Sequence, residues 1–437
     1  MGQARSRIAA IKADSITAMA TAGSTNQLGF ERNVKLYPWY QAFYNAFAWM
    51  PVFFLYFSQH LTLDGVLRLE AIYYIVVVIL EVPSGYFSDV VGRKKTLLIS
   101  TTALIFSYIL FALGGGFAIF AIAQALLAMG ISFASGTDTS FHYDSLASID
   151  REDQFAQREA VVARNTFLSG AIAALIGGCL GAIDLRFAYV ASAVAAVGTL
   201  TIVLLFTEPR SHQQATVLGR GFISQLKKCV SMLSQRSLAW LFGFAVLMVV
   251  LNHIPYEFYQ TYIKLTSEDI DAPLSMAPAI AGLHMAVAML IGSYIAAHSI
   301  RLRDRLGIGP TLLLCVVIQT VIIAVMGSVL SIWIVPLILF RVAPRALMTA
   351  PFNAAVTPRI PQAQRATYLS IQSLVGRLAF SAVLLGLSFL AQKESASDWI
   401  SLKKILLAST FLALVGLVIL SITHRWCFKH DSQPVSE

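Results

Sequence analysis

Three arginines stand inside long apolar stretches of this 437-residue chain: Arg341, Arg345 and Arg377. At 1.5 Å per helical residue, Arg341 lies about 15 Å from one end of its stretch and about 22 Å from the other, and Arg377 lies about 20 Å into the next. A charge at such depth in a bilayer costs at least about 2.5–3.5 kcal/mol, so each needs a partner or a purpose. The apolar stretches near 275–297, 308–328, 331–356 and 364–391 contain no Asp or Glu. The guanidiniums must therefore find backbone carbonyls, a carboxylate from the first half (Asp138 or Glu70), or an anionic ligand. Bracing of helices through carbonyls and binding of an anion are both open. His284 is a lone imidazole on the same half, either a packed core residue or a member of the site.

Acid–base chemistry is suggested by Asp138, His142 and Ser145, at i, i+4 and i+7 on one helical face. A carboxylate one turn from an imidazole favours its protonated form and can relay protons near neutral pH. The competing reading has Asp138 or Asp144 neutralising Arg164. His253 and Glu257 repeat the i, i+4 spacing around Pro255, which should kink the helix; their depth suits a site wall or gate. Tyr256, Tyr259 and Tyr262 read as a belt at the membrane interface. Tyr40, Tyr44 and Phe47 form a stripe that either lines a cavity or packs a core. Glu81 either pairs with Arg93, Lys94 and Lys95 as a latch or carries a proton. No nucleophile–base–orienter set and no metal-ligand spacing can be read, and the four cysteines are scattered. No enzyme, metal or cofactor is expected, and Cys179, Cys229, Cys315 and Cys427 are expected to be buried.

The elements that hold these residues follow from composition. The chain is 57% hydrophobic and 13% charged, with mean hydropathy +0.71; a soluble domain carries about 25% charged residues. Unbroken apolar runs predict helices, since barrel strands would alternate in shorter segments. Twelve spans of roughly 20 residues are expected near 37–59, 68–88, 96–115, 117–146, 160–183, 186–207, 238–262, 275–297, 308–328, 331–356, 364–391 and 399–424. The net charge of +9 does not imply nucleic acid. With both termini cytoplasmic, the external loops carry only Arg186, Lys264, Lys393, Lys403 and Lys404, and most other Lys and Arg fall on the cytoplasmic side. Domains are expected at 1–36 (cytoplasmic segment), 37–207 and 238–424 (helix bundles), 208–237 (linker) and 425–437 (tail). Within the linker, 222–233 has helical apolar spacing suited to the membrane surface or to a solvated helix. A myristoylation pattern at Gly2 and Ser6 is unneeded in a chain with this many spans. No phosphate-cradling Gly-rich loop ending in Gly-Lys-Ser/Thr occurs, which argues against ATP as the driving force.

Between the second and third spans the chain reads EVPSGYFSDVVGRKK, with Gly85, Asp89, Gly92, Arg93 and Lys94 in the spacing G-x-x-x-D-x-x-G-R-K. This resembles the loop joining the second and third helices in the major facilitator superfamily of secondary transporters. A partial echo, Arg301, Asp304 and Gly307, lies between spans eight and nine, and 135–146 and 361–377 are similar to a subgroup of that family. The resemblance implies an all-α fold of two six-helix bundles related by a pseudo-twofold axis, rocking around a central site. It also implies secondary active transport of a small-molecule substrate; protons are the expected coupling ion, and plain loops without long external domains suit a bacterial inner membrane, with the chain a monomer. Drug exporters in the family carry a Gly-Pro pair in span five, absent here among Gly170, Gly177, Gly178 and Gly181. The deep arginines point to an anionic or carboxylate-rich cargo such as an organic acid or siderophore. Multidrug efflux is the alternative, and a non-transporting sensor or assembly protein the second.

Overall fold

The computed structural model describes residues 27–61, 63–209, 222–266, 277–391 and 399–427, and its regular structure there is helical throughout. Helix α1 covers 27–44. It is followed by α2 (Phe53–His60), α3 (Leu63–Val91), α4 (Arg93–Leu113), α5 (Phe117–Ala134), α6 (Thr137–Ala147), α7 (Phe155–Gly181) and α8 (Leu185–Leu205). After the linker come α9 (Phe222–Ser231), α10 (Arg236–Thr266), α11 (Ala277–Leu306), α12 (Ile308–Ser328), α13 (Val335–Ile338), α14 (Ala343–Val356), α15 (Arg365–Ala391) and α16 (Trp399–Cys427). Among the described residues, ten helical stretches are long and apolar enough to cross a membrane. Large apolar side chains on the outside, such as Phe411, Leu113 and Val194, are about 70% exposed. That apolar coat is what a lipid-facing surface requires.

Three expected spans are broken, each where the backbone loses hydrogen bonds. The first is interrupted between α1 and α2, where the Asn45 side chain donates to the Gln41 carbonyl at 2.9 Å. The fourth turns at Ser135–Gly136, with Gly136 at φ 71°, a left-handed position that favours glycine. The tenth runs as a 3₁₀ turn at Ile332–Ile334, then α13, then a second at Leu339–Val342 before α14. Pro336 and Pro344 withhold backbone N–H groups from that stretch. Pro255, by contrast, lies inside an α10 that continues past it.

One apolar cluster draws only on residues from Cys229 onward, around Phe244, Met248, Cys315 and Phe352. Another draws only on residues from the first half, around Tyr56, Phe111, Phe120 and Tyr189. Helix α9 neither lies free nor rests on lipid alone. Its Gln225 reaches inward to Asp89, the Ala363 carbonyl and Thr367 at 2.8–3.0 Å.

Cys229 and Cys315 are buried as expected, but Cys179 is exposed and Cys427 partly so. Burial pushes the Cys229 thiol up to about 12, leaving very little thiolate, the reactive form, at neutral pH. In the native protein, Cys229→Ser should leave maleimide labelling unchanged and Cys179→Ser should lower it. Rapid loss of label on Cys229→Ser would contradict this packing.

Candidate functional site

A cavity of about 240 Å³ lies between α1, α6 and α7 on one side and α11 and α14 on the other. Tyr37, Gln41 and Asn45 come from α1 and the break behind it, and Asp138 and Thr139 from the first turn of α6. Glu159 and Phe167 come from α7, Met285 and Met289 from α11, and Arg345, Thr349 and Asn353 from α14. The break at Gly136 starts α6 afresh, which gives Asp138 free helix-end N–H groups. Its carboxylate accepts from the Thr139 backbone N–H at 2.6 Å, a favourable place for negative charge.

A continuous polar chain runs across the cavity wall. Asn45 donates to Gln41 Oε1 at 2.8 Å, and Gln41 Nε2 donates to Asp138 at 2.7 Å and to the Tyr37 hydroxyl at 2.8 Å. The Tyr37 ring stacks on His142, centroids 4.1 Å apart. His142 Nδ1 then meets Glu159 Oε1 at 2.7 Å, and Glu159 Oε2 accepts from Asn353 Nδ2 at 2.7 Å. His142 and Glu159 are 1% and 3% exposed. The expected Asp138–His142 relay is thus corrected: the imidazole's partner is Glu159 from the next helix. Glu159 went unread because it sits one residue outside the apolar stretch that begins at 160.

The three arginines occupy three environments. Arg345 lines the cavity, and its guanidinium donates no hydrogen bond among the described residues. Arg341 is buried one turn away, donating to the Ile338 carbonyl at 3.2 Å and lying 4.2 Å over the Tyr259 ring. His284 stacks on the same Tyr259 ring, centroids 5.6 Å apart. Arg377 is drawn to Ser373 at 3.4 Å, beside Tyr73 and Glu81 of α3. Arg341, Arg377 and His284 therefore do not line the cavity.

Other expectations are also corrected. Arg164 is exposed and bonds Asn165, with neither Asp138 nor Asp144. Glu81 accepts from Ser135 at 2.6 Å and does not join Arg93. Tyr40 and Tyr44 stack on each other at 5.7 Å in the aromatic core, leaving Tyr37 and Phe47 on the wall. His253 bonds the Val249 carbonyl and packs on Phe380, off the cavity. Tyr262 is fully buried and donates to the Val329 carbonyl, so it is no interface belt. The side chain of Glu257 lies outside the described residues.

Below the cavity, the Gly85–Lys94 motif builds a charged latch. Gly85 lets α3 approach α15: a Cβ there would lie 2.9 Å from the Ala366 carbonyl. Asp89 receives the Thr367 N–H at 3.0 Å and hydroxyl at 2.6 Å and pairs with Arg93. Arg93 also contacts Asp144 at 3.2 Å and the Gln362 carbonyl at 2.9 Å. Arg365, which spacing alone did not single out, closes the set by pairing with Asp144. Glu208 caps α4, accepting from the Arg93 and Lys94 N–H groups at 2.6 and 2.9 Å. Burial raises its carboxyl above the ordinary range although those two bonds pull it down.

Helices long and apolar enough to cross a membrane, set around a cavity with ionisable walls, make this a multi-pass membrane protein. The Major Facilitator Superfamily profile matches residues 40–384, and the chain belongs to that family. No curated protein matches the sequence. Among solved structures, the human organic anion transporter MFSD10 (TETRAN) superposes with TM-score 0.70 at 15% identity, covering 90% of this chain and 99% of that one. The E. coli fucose:proton symporter FucP gives TM-score 0.65 at 12% identity, over 90% and 98% of the two chains. A bacterial homologue of the iron transporter ferroportin, in its outward-facing state, gives 0.63 at 17%, over 89% and 99%. At such identities these likenesses carry the fold alone.

Proposed function

We propose that the chain is a secondary active transporter that carries a small anionic, carboxylate-bearing solute by alternating access, with Arg345 as the anion contact. The carrying observation is a guanidinium on the wall of a cavity shared by both halves that donates no hydrogen bond among the described residues. An anion there supplies a charge-assisted partner that the described residues do not. The two remaining spans would be α1–α2 and α15, completing six-helix bundles at 37–207 and 238–424 about the linker at 208–237. The latch end would face the cytoplasm of a bacterial inner-membrane monomer with both termini inside, in keeping with the basic residues clustered there. Proton coupling fits a cavity lined by Asp138 and Glu159, with His142 buried behind Glu159. Chains of similar fold include an organic anion transporter and a fucose:proton symporter.

Efflux of lipophilic cations is the second reading, favoured by the carboxylates of Asp138 and Glu159 on the same wall. A sensor that binds without transporting is the third. Thermal unfolding of the detergent-purified protein separates the first two, using citrate and other carboxylates against lipophilic cations. A true ligand at 100 times its dissociation constant adds about 2.7 kcal/mol. Stabilisation by carboxylates, lost in Arg345→Ala and kept in Arg377→Ala, is expected. Stabilisation by cations alone would overturn the anion reading in favour of efflux.

A further inference from the structure

We infer that the buried His142–Glu159 pair, not Asp138, holds the coupling proton, and that an anion at Arg345 and this proton bind cooperatively, so that the two cross together. The inference rests on the anion reading for its second half only.

The argument begins with charge. On the cavity wall Asp138 and Glu159 bring two negative charges and Arg345 one positive. A proton on the pair makes the set neutral, and without it the set carries one net negative charge. An anion on Arg345 would add another. In a low-dielectric cavity each uncompensated charge is costly, so anion binding favours protonation and, by reciprocity, protonation favours the anion. A cation would do the opposite and compete with the proton. The same cluster therefore sets direction: an anion travels with the proton, a cation against it.

The geometry favours the pair as the proton's place. Glu159 is held on both oxygens, by His142 and by Asn353, and is nearly inaccessible to solvent. His142 Nε2 is buried without a partner among the described residues. A proton can join the ring there without breaking a hydrogen bond, and the Tyr37 face beneath it favours a cationic ring. Asp138 is only half-buried and already accepts from Gln41 and Thr139.

The other ionisable groups around the pair are accounted for. Tyr37 faces it from α1, and Arg345 lines the same cavity from α14. Asp144 on α6 turns to Arg93 and Arg365, beneath which Tyr143 lies. Arg158 and Arg164 on α7 turn to Gln154 and Asn165. Glu159 lines the cavity and His142 is buried behind it, so the pair meets the cavity through Glu159. Asn353 ties Glu159 to α14, so the pair senses the second half directly.

The test is nitrogen NMR of the full-length protein labelled at histidine, titrated with pH, with His142→Gln assigning the signal. The His142 signal should titrate, and its midpoint should fall by about one unit or more in Glu159→Gln while staying put in Asp138→Asn. Should Glu159→Gln not fold, Asn353→Ala serves instead. Loss of one hydrogen bond concentrates charge on the carboxylate, so the midpoint should rise. Citrate should raise the wild-type midpoint and should have no effect in Arg345→Gln. A His142 signal that does not respond to pH overturns the proposal, as does a shift in Asp138→Asn matching that in Glu159→Gln. A midpoint lowered by citrate overturns the cooperative sign. A titrating His142 that ignores citrate sinks the anion reading and leaves the proton site in place.

Discussion

Asp144→Ala is expected to destabilise the protein by about 3–5 kcal/mol, the usual cost of removing one partner from a buried ionic set. Asp144 is 3% exposed, and the arginines that converge on it, Arg93 and Arg365, are 5% exposed each. Without it two guanidiniums would face one another in a buried site. Arg93 would keep Asp89, but Arg365 would retain only the Thr357 and Ile360 carbonyls and the Tyr143 ring. Arg365→Ala should cost less, since Asp144 would still hold Arg93. The double variant should then fall short of the sum, because the two changes act on one contact. Thermal unfolding of the three variants in one detergent measures this order. An Asp144→Ala protein within about 0.5 kcal/mol of the parent would show that these ion pairs add nothing net.

The same substitution has a conformational consequence. Arg365 opens α15 while Arg93 and Asp144 belong to α4 and α6, so their contacts join helices distant in sequence. Removing them penalises the arrangement in which these ends touch. Every 1.4 kcal/mol moves a two-state population tenfold, so a loss of 3 kcal/mol moves it roughly a hundredfold. Cys229, whose Sγ lies 3.8 Å from the Gln364 carbonyl, should become reactive in Asp144→Ala. Labelling of Cys229 thus reads the latch without any substrate.

The all-helical membrane class was legible because hydropathy integrates over whole spans. The latch was legible in part because Gly85, Asp89, Gly92, Arg93 and Lys94 fall within one short stretch of sequence. Its remaining members, Asp144, Arg365 and Gln225, come from three other helices, and no spacing rule relates them. Asp138 and His142 do share a helix, but a shared face does not say which neighbour it meets. Here it meets Glu159 and Tyr37. The deep arginines were visible as anomalies, whereas their different solutions depend on tertiary detail. Arg341 sits in a 3₁₀ turn that lets it fold back on Ile338 and cover Tyr259. Pro336 and Pro344 could have signalled that the tenth span is not a regular helix. The stripe of Tyr40 and Tyr44 shows the converse limit, since a periodic aromatic face predicts burial equally well against a cavity or a core.

Gly177→Ala should be among the most damaging single-methyl changes in the chain. A Cβ at Gly177 would fall 1.8 Å from the Ala48 carbonyl oxygen and 3.1 Å from its Cα. The obstacle is backbone, so rotamer changes cannot relieve it. Ala48 is buried in the break between α1 and α2. The next residue, Gly178, lies against α11, where a Cβ would meet the Pro278 carbonyl at 2.8 Å and the Gly282 Cα at 2.9 Å. Small residues that let helix backbones touch in this way are a main source of packing energy where lipid surrounds the helices. Overfilling such a contact costs about 1–3 kcal/mol, and more when backbone must move. Gly243 in α10 provides the control, because a Cβ there meets nothing within 4 Å. Gly243→Ala should gain up to about 1 kcal/mol from helix propensity. The same chemical change thus carries opposite signs at two helical glycines. Equal tolerance of both in thermal unfolding would mean that α7 does not approach the α1–α2 break this closely. Because Gly177 lies near the end of α7 far from Glu159, its loss should also leave the latch and the labelling of Cys229 unchanged.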